Sequence, residues 1–506
     1  MDRRMSYCGN VDEDATAASS CKRSDGNATL PSGLKPYSYE SFLIWVIYFY
    51  LPLIESHFGN RYNVAVTLWG KSLSPGKEFQ MRWIKYFMCL LVLFSVSASA
   101  GLASDETVPT LTIEQRLTGY ANLWGAVKHR YVLMDDLDLD WDEVFVQFLP
   151  KVQKAKTVDE YYLVLEEMIA LLKDNHSRVN SPSRKYLKRP VFRTEFIEDK
   201  PVITGLYEKD VPWPEGIQCG DIITKINNRP VQECVEKEKP YVSASSDIER
   251  RDAALERSLW GPEGNEIQLS LLRSGQECQV HVPLTMPLAL KRHVSSELIE
   301  GDSIAVIHIP SFGFQEISDE FDAALEAARE CPYLIIDLRD NPGGNDNTGA
   351  KVAGRIIKEP MRFYRMAKMT FTVDTMQQIL KMDVKNIQEL MLAKPGGPWQ
   401  FEGKIAILVN RRTGSAAEDF VLGFQDSSRA IVVGEQTPGG TGNPYNVGLP
   451  GGGSARICHS KIERLDGSRF HGVGITPDVP VEQTVDGVCA GRDEILEAAI
   501  TALKNN

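Results

Sequence analysis

Apolar residues recur at helical spacing in the segment between Leu111 and Val179. Residues three or four positions apart share one face of a helix, so this spacing predicts amphipathic helices with one buried side. We therefore predict a small helical domain over residues 105–185, ending in the segment LLKDNHSRV. The apolar positions that set the pattern are Tyr120, Leu123, Val127, Tyr161, Leu163, Leu165, Met168, Ile169 and Leu172.

The pattern changes to short strands separated by turns from about Pro190 to Leu284. Its centre is the segment GDIITKINNRPV, from Gly220 to Val231. Short apolar runs bounded by Gly, Asn and Pro are typical of strands joined by tight turns. The pattern predicts a β domain over residues 190–286.

Strands and helices alternate in the third segment, residues 287–506. The short β-branched runs Ile304 to Ile309, Tyr333 to Ile336 and Ile405 to Val409 predict strands. Helices are predicted from Ile317 to Ala328 and from about Ser415 onward. The whole chain is thus predicted to be a multidomain α+β protein.

Ser415 stands where the last of these strands passes, through the polar turn Asn410 to Gly414, into a helix. A hydroxyl at such a junction is exposed, and free backbone N–H groups of the first helical turn lie beside it. The position suits a nucleophile that attacks a carbonyl, with donors at hand for the oxyanion that forms. The alternative is that Ser415 only caps the helix, which is the common role of Ser at a helix start.

A second loop with chemical potential, DLRDNPGGN, runs from Asp337 to Asn345 after a predicted strand. Paired glycines let a backbone approach a ligand closely and turn N–H groups toward it. Asp337, Arg339 and Asp340 suit a turn braced by charge-assisted bonds. A plain solvated loop explains these three charges equally well.

Together the two loops resemble the C-terminal-processing and tricorn-like serine peptidases. That family pairs a D-L-R-x-N-x-G-G loop with a nucleophile in the pattern N-x-x-T-x-S-A-x-E. The second pattern here consists of Asn410, Thr413, Ser415, Ala416 and Glu418.

The downstream segment GITPDV, from Gly474 to Val479, is similar to the family's closing G-I-x-P-D motif, and the resemblance runs from about Leu111 to the C-terminus. It implies a crotonase/ClpP-like α/β catalytic core, a spiral of β-β-α units. It also implies that the N–H groups of Gly343, Gly344 and Ala416 hold the oxyanion.

The β domain resembles a PDZ domain, because Gly220 to Val231 matches the signature G-D-x-I-x-x-I-N-x-x-P-V. The resemblance implies that the domain captures an extended peptide, often its C-terminus, as an added strand at a sheet edge. The alternative is a structural insert with a closed groove.

The catalytic base departs from one branch of the family. Many members use a Lys twenty-five positions after the nucleophile, where this chain has Gly440. The tricorn-like branch instead uses a His from the helical domain, and His176 in Asp174-Asn175-His176-Ser177 fits that position. An imidazole suits the role because its ordinary pKa lies near working pH. The alternative is a structural helix-end histidine.

The residue that orients the base is left open by the sequence. Tricorn-like enzymes use a Ser before the His and a Glu shortly before the closing motif, where this chain has Asn175 and His471. His459 and His471 fall on strand-like segments, where half-exposed structural histidines are common. His129, in the first predicted helix, has no evident partner. The candidates for the orienting role are Ser177, Glu418, Asp419 and His471.

The composition of the chain argues against some other classes of function. The chain has 506 residues, 43% hydrophobic and 25% charged, which is enough for two to four domains. A formal net charge of −12 argues against a nucleic-acid partner. Neither C-x-x-C nor a metal-like Cys/His spacing occurs, so neither a metal nor another cofactor is predicted.

A complete signal-peptide pattern lies inside the chain, at residues 81–100. It has a basic start at Met81 to Lys85, an apolar centre at Tyr86 to Phe94 and a small-residue cleavage site at Ala98 to Ala100. Residues 1–80 are then a non-native upstream extension, with the mature chain beginning near Gly101. The alternative is a cytoplasmic extension with an anchor at residues 86–98, which is short for a membrane span.

Export places the protein in the periplasm or outside the cell, where cysteines oxidise readily. The six cysteines of the mature chain can then form up to three disulfides, or they can remain buried free thiols. These are Cys219, Cys234, Cys278, Cys331, Cys458 and Cys489.

The function predicted from the sequence is an exported serine endopeptidase with Ser415 as nucleophile and His176 as base. Its partner is a protein or peptide substrate, the mature chain has no stable membrane span, and its oligomeric state is left open. The main alternative is an inactive peptide- or ligand-binding protein on the same fold. A PDZ-led scaffold with a degenerate core is a third option.

Overall fold

The computed structural model describes residues 110–208, 211–288, 293–301, 303–372 and 381–505. All of them lie in one compact unit, Glu106–Asn506. The predicted upstream extension and signal peptide lie outside the described residues. Within the described part, none of the helices is long and apolar enough to cross a membrane.

Three helices form the predicted N-terminal helical segment, and capping side chains mark where they begin. Thr112 accepts a bond from the Gln115 N–H, and Asp140 and Thr157 cap the next two helices in the same way. The core of this segment is shared, because Leu449, Ala455 and other residues near the C-terminus pack into it. The helices are α1 (Ile113–Arg130), α2 (Trp141–Lys154) and α3 (Val158–Ala170).

The second segment is an antiparallel sheet with two helices and a hydrophobic core of its own, built from residues between Phe192 and Leu284. The strand order is β3-β4-β5-β8-β9, with β6 beside β5. Its strands are β3 (Phe192–Ile197), β4 (Lys200–Leu206), β5 (Ile222–Ile226), β6 (Arg229–Pro230), β8 (Glu266–Arg273) and β9 (Gln276–Pro283). Its helices are α4 (Val231–Glu238) and α5 (Asp247–Ser258).

A six-stranded sheet organises the third segment, in the order β11-β12-β13-β16-β17-β21. The strands from β12 onward run parallel, and β11 alone is antiparallel to its neighbour. These strands are β11 (Ser295–Ile299), β12 (Ile304–His308), β13 (Tyr333–Asp337), β16 (Lys404–Val409), β17 (Ile431–Gly434) and β21 (Val479–Pro480). The helices are α6 (Glu316–Ala327), α7 (Asp346–Gly354), α8 (Ala416–Asp426), α9 (Val485–Cys489) and α10 (Glu494–Asn505).

Three small three-stranded sheets complete the fold. The sheet β1-β19-β18 matters most, because β1 follows the helical segment and β19 belongs to the third. The others have the orders β10-β2-β7 and β15-β14-β20. Their strands are β1 (Arg178–Asn180), β2 (Leu187–Arg189), β7 (Gly261–Pro262), β10 (Met286–Pro287), β14 (Met361–Thr372), β15 (Lys381–Ala393), β18 (Pro444–Gly448), β19 (Ser454–Cys458) and β20 (Ser460–Glu463).

The predicted elements around the two motif loops are confirmed within a residue or so, because each is set by a local apolar run. The placement of His471 on a half-exposed strand is wrong. His471 lies in a turn and is 1% exposed, since it packs against the buried Asp174. The six cysteines from Cys219 to Cys489 are all free thiols.

Candidate active site

The two motif loops meet because they follow neighbouring parallel strands. Asp337 of β13 lies opposite Leu408 of β16, so both loops leave the same edge of the sheet. The Asn410 side chain donates to Asp340 Oδ1 at 3.0 Å, and Asn410 Oδ1 accepts from the Asp340 N–H at 3.0 Å. Asn410 therefore clamps the glycine loop to the turn that carries Ser415.

The charged side chains of the glycine loop form ion pairs that stabilise its turn. Asp337 accepts from Arg339 Nε at 2.9 Å and Nη2 at 2.7 Å, and Arg339 also bonds Asp493 at 2.7 Å. Asp340 pairs with Arg193 of β3. The plain solvated loop that the sequence left open does not describe this segment.

Ser415 has an unusual backbone conformation, with φ 54° and ψ −131°. It occupies the N-cap position of α8, yet its side chain makes no capping hydrogen bond. A positive φ is costly for a residue other than glycine and persists only where the surroundings impose it. The hydroxyl is directed away from the helix end and toward His176, so Ser415 is not a simple cap.

His176 lies in the turn between α3 and β1 and is 9% exposed. Its Nε2 is 3.0 Å from Ser415 Oγ, and its Nδ1 is 3.0 Å from Asn175 Oδ1. Burial lowers the pKa of His176 to about 4, against a smaller raising effect from the Asp174 charge. The ring is therefore neutral at pH 7 and able to accept a proton.

Asn175 fixes which ring nitrogen carries that proton. Its Nδ2 donates to Glu249 Oε1 at 2.8 Å, so its Oδ1 faces the imidazole as an acceptor. An acceptor at Nδ1 requires the proton to sit there, which leaves the Nε2 lone pair facing the Ser415 hydroxyl. The hydrogen bonds run from Ser415 through His176 and Asn175 to Glu249.

Glu249 is contributed by α5 of the β domain, and the sequence reasoning missed it. Its second oxygen accepts from the Ser245 N–H at 2.8 Å, and burial raises the pKa of Glu249 to about 7. The only local signal was Ser246 three positions earlier, a pattern that marks a helix start. Nothing in that pattern indicates a partner 74 residues earlier in the chain.

Asp174 stabilises the turn that carries His176. Its Oδ1 accepts from the His176 N–H at 3.0 Å, and its Oδ2 accepts from Ser177 Oγ at 2.5 Å. His471 Nε2 lies 3.6 Å from Oδ1. Burial alone would raise the pKa of Asp174, but these partners and the nearby His471 hold it below its ordinary value.

The predicted orienting residues lie elsewhere, and within the described part of the chain none hydrogen-bonds to the His176 ring. Ser177 and His471 contact Asp174 instead. Glu418 accepts from Thr437 Oγ1 and from the Gly439 N–H, and burial raises the pKa of Glu418 to about 7. Asp419 accepts from Thr441 at 2.9 Å.

The predicted oxyanion donors separate into two groups. The Gly343 N–H donates to Asn341 Oδ1 at 2.8 Å and is therefore engaged within the loop. The N–H groups of Gly344 and Ala416 have no hydrogen-bond partner among the residues described. Gly343 has φ 92° and lies so close to Ser415 that a Cβ on it would be 2.5 Å from the serine Cβ.

Gly440, at the position of the other branch's lysine, packs directly against Ser415 and Asn175. Its carbonyl accepts from the Ser415 N–H at 2.8 Å. A Cβ on Gly440 would overlap Oδ1 and Nδ2 of Asn175. The amide that orients His176 therefore fills the space that any side chain at position 440 would need.

Ser415, His176 and the glycine loop open into a cavity of about 610 Å³. Asn175 and Glu249 also line it, so the hydrogen-bonded residues border the space where a substrate would lie. A hydroxyl bonded to a neutral imidazole, with unengaged N–H groups beside it, can carry out acyl transfer.

Two family models match the chain. Peptidase family S41 matches residues 303–481, which contain both motif loops, and the tricorn protease C1 domain matches residues 114–170. The carboxyl-terminal-processing protease of Synechocystis sp. is 23% identical over 417 residues, covering 81% of this chain and 89% of that protein. Its counterpart in Picosynechococcus sp. is 24% identical and covers 78% of this chain and 89% of its own length.

The fold is also similar to solved structures. The crystal structure titled mature CPAF has a TM-score of 0.60 at 16% identity, covering 78% of this chain and 97% of that one. At this identity the likeness concerns the fold alone. The sequence matches, by contrast, span the helical segment and both motif loops. The chain therefore matches peptidase family S41 over its third segment and the tricorn protease C1 domain over its helical segment, and it is a serine-type peptidase.

Proposed function

We propose that this protein is a processing endopeptidase in which Ser415 is the nucleophile and His176 is the general base. The observation that carries the proposal is the 3.0 Å bond between His176 Nε2 and Ser415 Oγ, with Asn175 holding the tautomer that this bond needs. The names of the two cyanobacterial relatives, carboxyl-terminal-processing proteases, suggest cleavage near the C-terminus of a protein substrate.

In the proposed reaction, Ser415 Oγ bonds to the scissile carbonyl carbon while His176 Nε2 takes the hydroxyl proton. The carbonyl oxygen becomes an oxyanion, which the N–H groups of Gly344 and Ala416 are free to bind. His176 then returns the proton to the leaving amine, and water releases the acyl group by the same steps. A positioned base contributes about 10²–10⁴-fold and one oxyanion donor about 10²–10³-fold to the rate.

The β domain is proposed to bind an extended segment of the substrate, as its PDZ-like signature implies. Strands β3 and β9 are the edges of its sheet, and a sheet edge offers unpaired backbone groups to an added strand. Hydrogen exchange of the Ser415→Ala protein tests this with peptides from unfolded casein. Added protection at one edge strand supports peptide capture, and unchanged exchange at both edges contradicts it.

Export through residues 81–100 belongs to the proposal and is supported by the sequence pattern alone. The intact mass of the protein recovered outside the cytoplasm tests it. A chain that begins near Gly101 supports cleavage at the predicted site. A recovered chain that still carries residues 1–80 contradicts it.

Labelling with a fluorophosphonate, mapped by mass spectrometry, tests the catalytic assignment. We expect a single adduct on Ser415, because only an activated serine reacts at a useful rate. The His176→Ala variant should lose the adduct, whereas His129→Ala, which removes an exposed imidazole on α1, should retain it. An unlabelled wild-type protein, or labelling that survives His176→Ala, would overturn the assignment.

A further inference from the structure

Two of the four arginines that line the catalytic cavity form no ion pair with the described residues. Arg411 pairs with Glu435 at 2.5 Å and Asp252 at 3.3 Å, and Arg412 pairs with Glu195 at 3.7 Å. Within the described ranges, the guanidinium groups of Arg178 and Arg456 have neither a hydrogen bond nor an ion pair. These two cations are therefore available to a ligand.

Arg178 and Arg456 lie side by side on one face of a small sheet. They are directly opposite residues of the antiparallel strands β1 and β19, so their side chains share one face of that sheet. The next pair along, Val179 and Ala455, is buried on the other face in the core of the helical segment. Like charges placed directly opposite each other destabilise a sheet. An anion between them would offset that repulsion.

Both arginines are close to the catalytic base. Their positive charges act with burial to lower the pKa of His176, and Arg178 stands two residues after it. Burial, and the charge of Arg456, lower the pKa of Arg178 to about 10, so both remain cationic at pH 7. Two cations therefore stand beside the reacting groups.

The acids around the cavity already have partners of their own. Asp346 accepts from Tyr364 at 2.6 Å, Asp419 from Thr441 and Glu249 from Asn175. Of the remaining two, Asp252 pairs with Arg411 and Glu256 with Arg189. Among the described residues, none of these five acids forms an ion pair with Arg178 or Arg456, so both guanidinium groups can bind a further carboxylate.

We propose that Arg178 and Arg456 form an anion subsite that binds a carboxylate of the peptide substrate beside Ser415. The guanidinium fork matches the two oxygens of a carboxylate and makes the stronger, charge-assisted kind of hydrogen bond. The inference rests on the proposed peptidase function and names the chemistry that the site selects. The carboxylate belongs either to the C-terminus of the substrate or to an Asp or Glu side chain.

Matched peptides test the proposal. Cleavage sites in unfolded β-casein, mapped by mass spectrometry, supply a parent sequence around one scissile bond. Each peptide is made with a free or amidated C-terminus, and with Asp or Glu or the corresponding amide near the cut. We expect the preferred carboxylate to raise kcat/KM by about 10- to 100-fold over its amide, as hydrogen bonds to charged groups do.

The variants Arg178→Gln and Arg456→Gln should each remove most of that preference. Arg178→Lys should keep part of it, because the charge remains without the planar fork. The matched control is Arg329→Gln, which removes an exposed arginine at the end of α6 and should preserve the preference.

The two levels of the hypothesis fail in different ways. Equal cleavage of carboxylate and amide peptides by a protein that fluorophosphonate labels at Ser415 would overturn the subsite alone. A preference that survives both glutamine variants would also overturn it. A protein that is not labelled at Ser415 would overturn the peptidase assignment first. Dependence on the free C-terminus or on the acidic side chain identifies the source, and either result supports the subsite.

Discussion

Asn175 Nδ2 donates a hydrogen bond to Glu249 Oε1 over 2.8 Å, and this bond ties the loop of the catalytic base to helix α5 of the β domain. A second tie runs beside it, because Ser243 Oγ donates to the Asp174 carbonyl at 2.6 Å. Both partners in the β domain lie in or just before α5. The orientation of His176 therefore depends on a domain that contains neither the nucleophile nor the base.

Replacing Glu249 with Ala should lower kcat by about 10²-fold while KM changes little, because a misplaced base costs about that much. Without the carboxylate, the Asn175 amide is free to turn and the wrong tautomer of His176 becomes accessible. Steady-state kinetics on a casein-derived peptide and the rate of fluorophosphonate labelling should fall together.

Glu249→Gln should recover part of the loss, because its side-chain oxygen still accepts from Asn175. Glu277→Ala, which removes an exposed acid from β9, is the matched control. A double variant with Asn175→Ala should be no slower than Asn175→Ala alone, since Glu249 acts through Asn175. Additive losses would show that Glu249 does not act through Asn175.

The pH profile of activity should have an acid limb, the fall in activity at low pH, far below the ordinary pKa of an imidazole. The base must be neutral to accept a proton, and burial lowers the pKa of His176 to about 4. Activity is therefore lost only as pH falls through about 4. The labelling rate of Ser415 with a small uncharged fluorophosphonate reports this limb without titration of a peptide substrate.

Removing a nearby positive charge should move that limb in a known direction. The Arg456 charge lowers the pKa of His176, so Arg456→Gln should shift the acid limb to higher pH. Arg329→Gln is again the control, since Arg329 is exposed just after the end of α6 and bonded to Glu326. An acid limb near pH 6.5 in the wild-type protein would contradict a buried, neutral His176.

The backbone strain at Ser415 predicts a difference in stability between two inactive variants. Ser415→Gly and Ser415→Ala both remove the hydroxyl, but only glycine tolerates a φ of 54° without cost. We expect the glycine variant to exceed the alanine variant by about 1 kcal/mol in free energy of unfolding. Chemical denaturation at equal m-values measures the difference. If Ser415→Ala is as stable as Ser415→Gly, or more stable, the turn is not strained.

The sequence predicted the nucleophile and its surroundings because their signals are local. The apolar run of β16, the polar turn and the helical spacing after Ser415 lie within some twenty residues of one another. The same holds for β13 and the glycine loop that follows it. Parallel pairing of two such strands then brings their loops together without further information.

The rest of the site depends on pairings between distant segments, which local patterns do not contain. Glu249 lies 74 residues from Asn175, and β1 finds its partner β19 only near the other end of the chain. Asn175 was visible in the sequence only as a departure from the family pattern. His471 was misplaced because its burial against Asp174 is a tertiary contact.

Gly440→Ala should disable the site through a single methyl group. A Cβ there would overlap the Asn175 amide, which is held on one side by His176 and on the other by Glu249. The amide must move, so His176 loses its partner at Nδ1 and the labelling rate of Ser415 should fall by about 10²-fold. Gly448→Ala is the matched control, because a Cβ on this residue of β18 meets no atom within 4 Å. Normal labelling of Gly440→Ala would show that Asn175 can leave its place without cost, and that the bond to His176 does not set the rate.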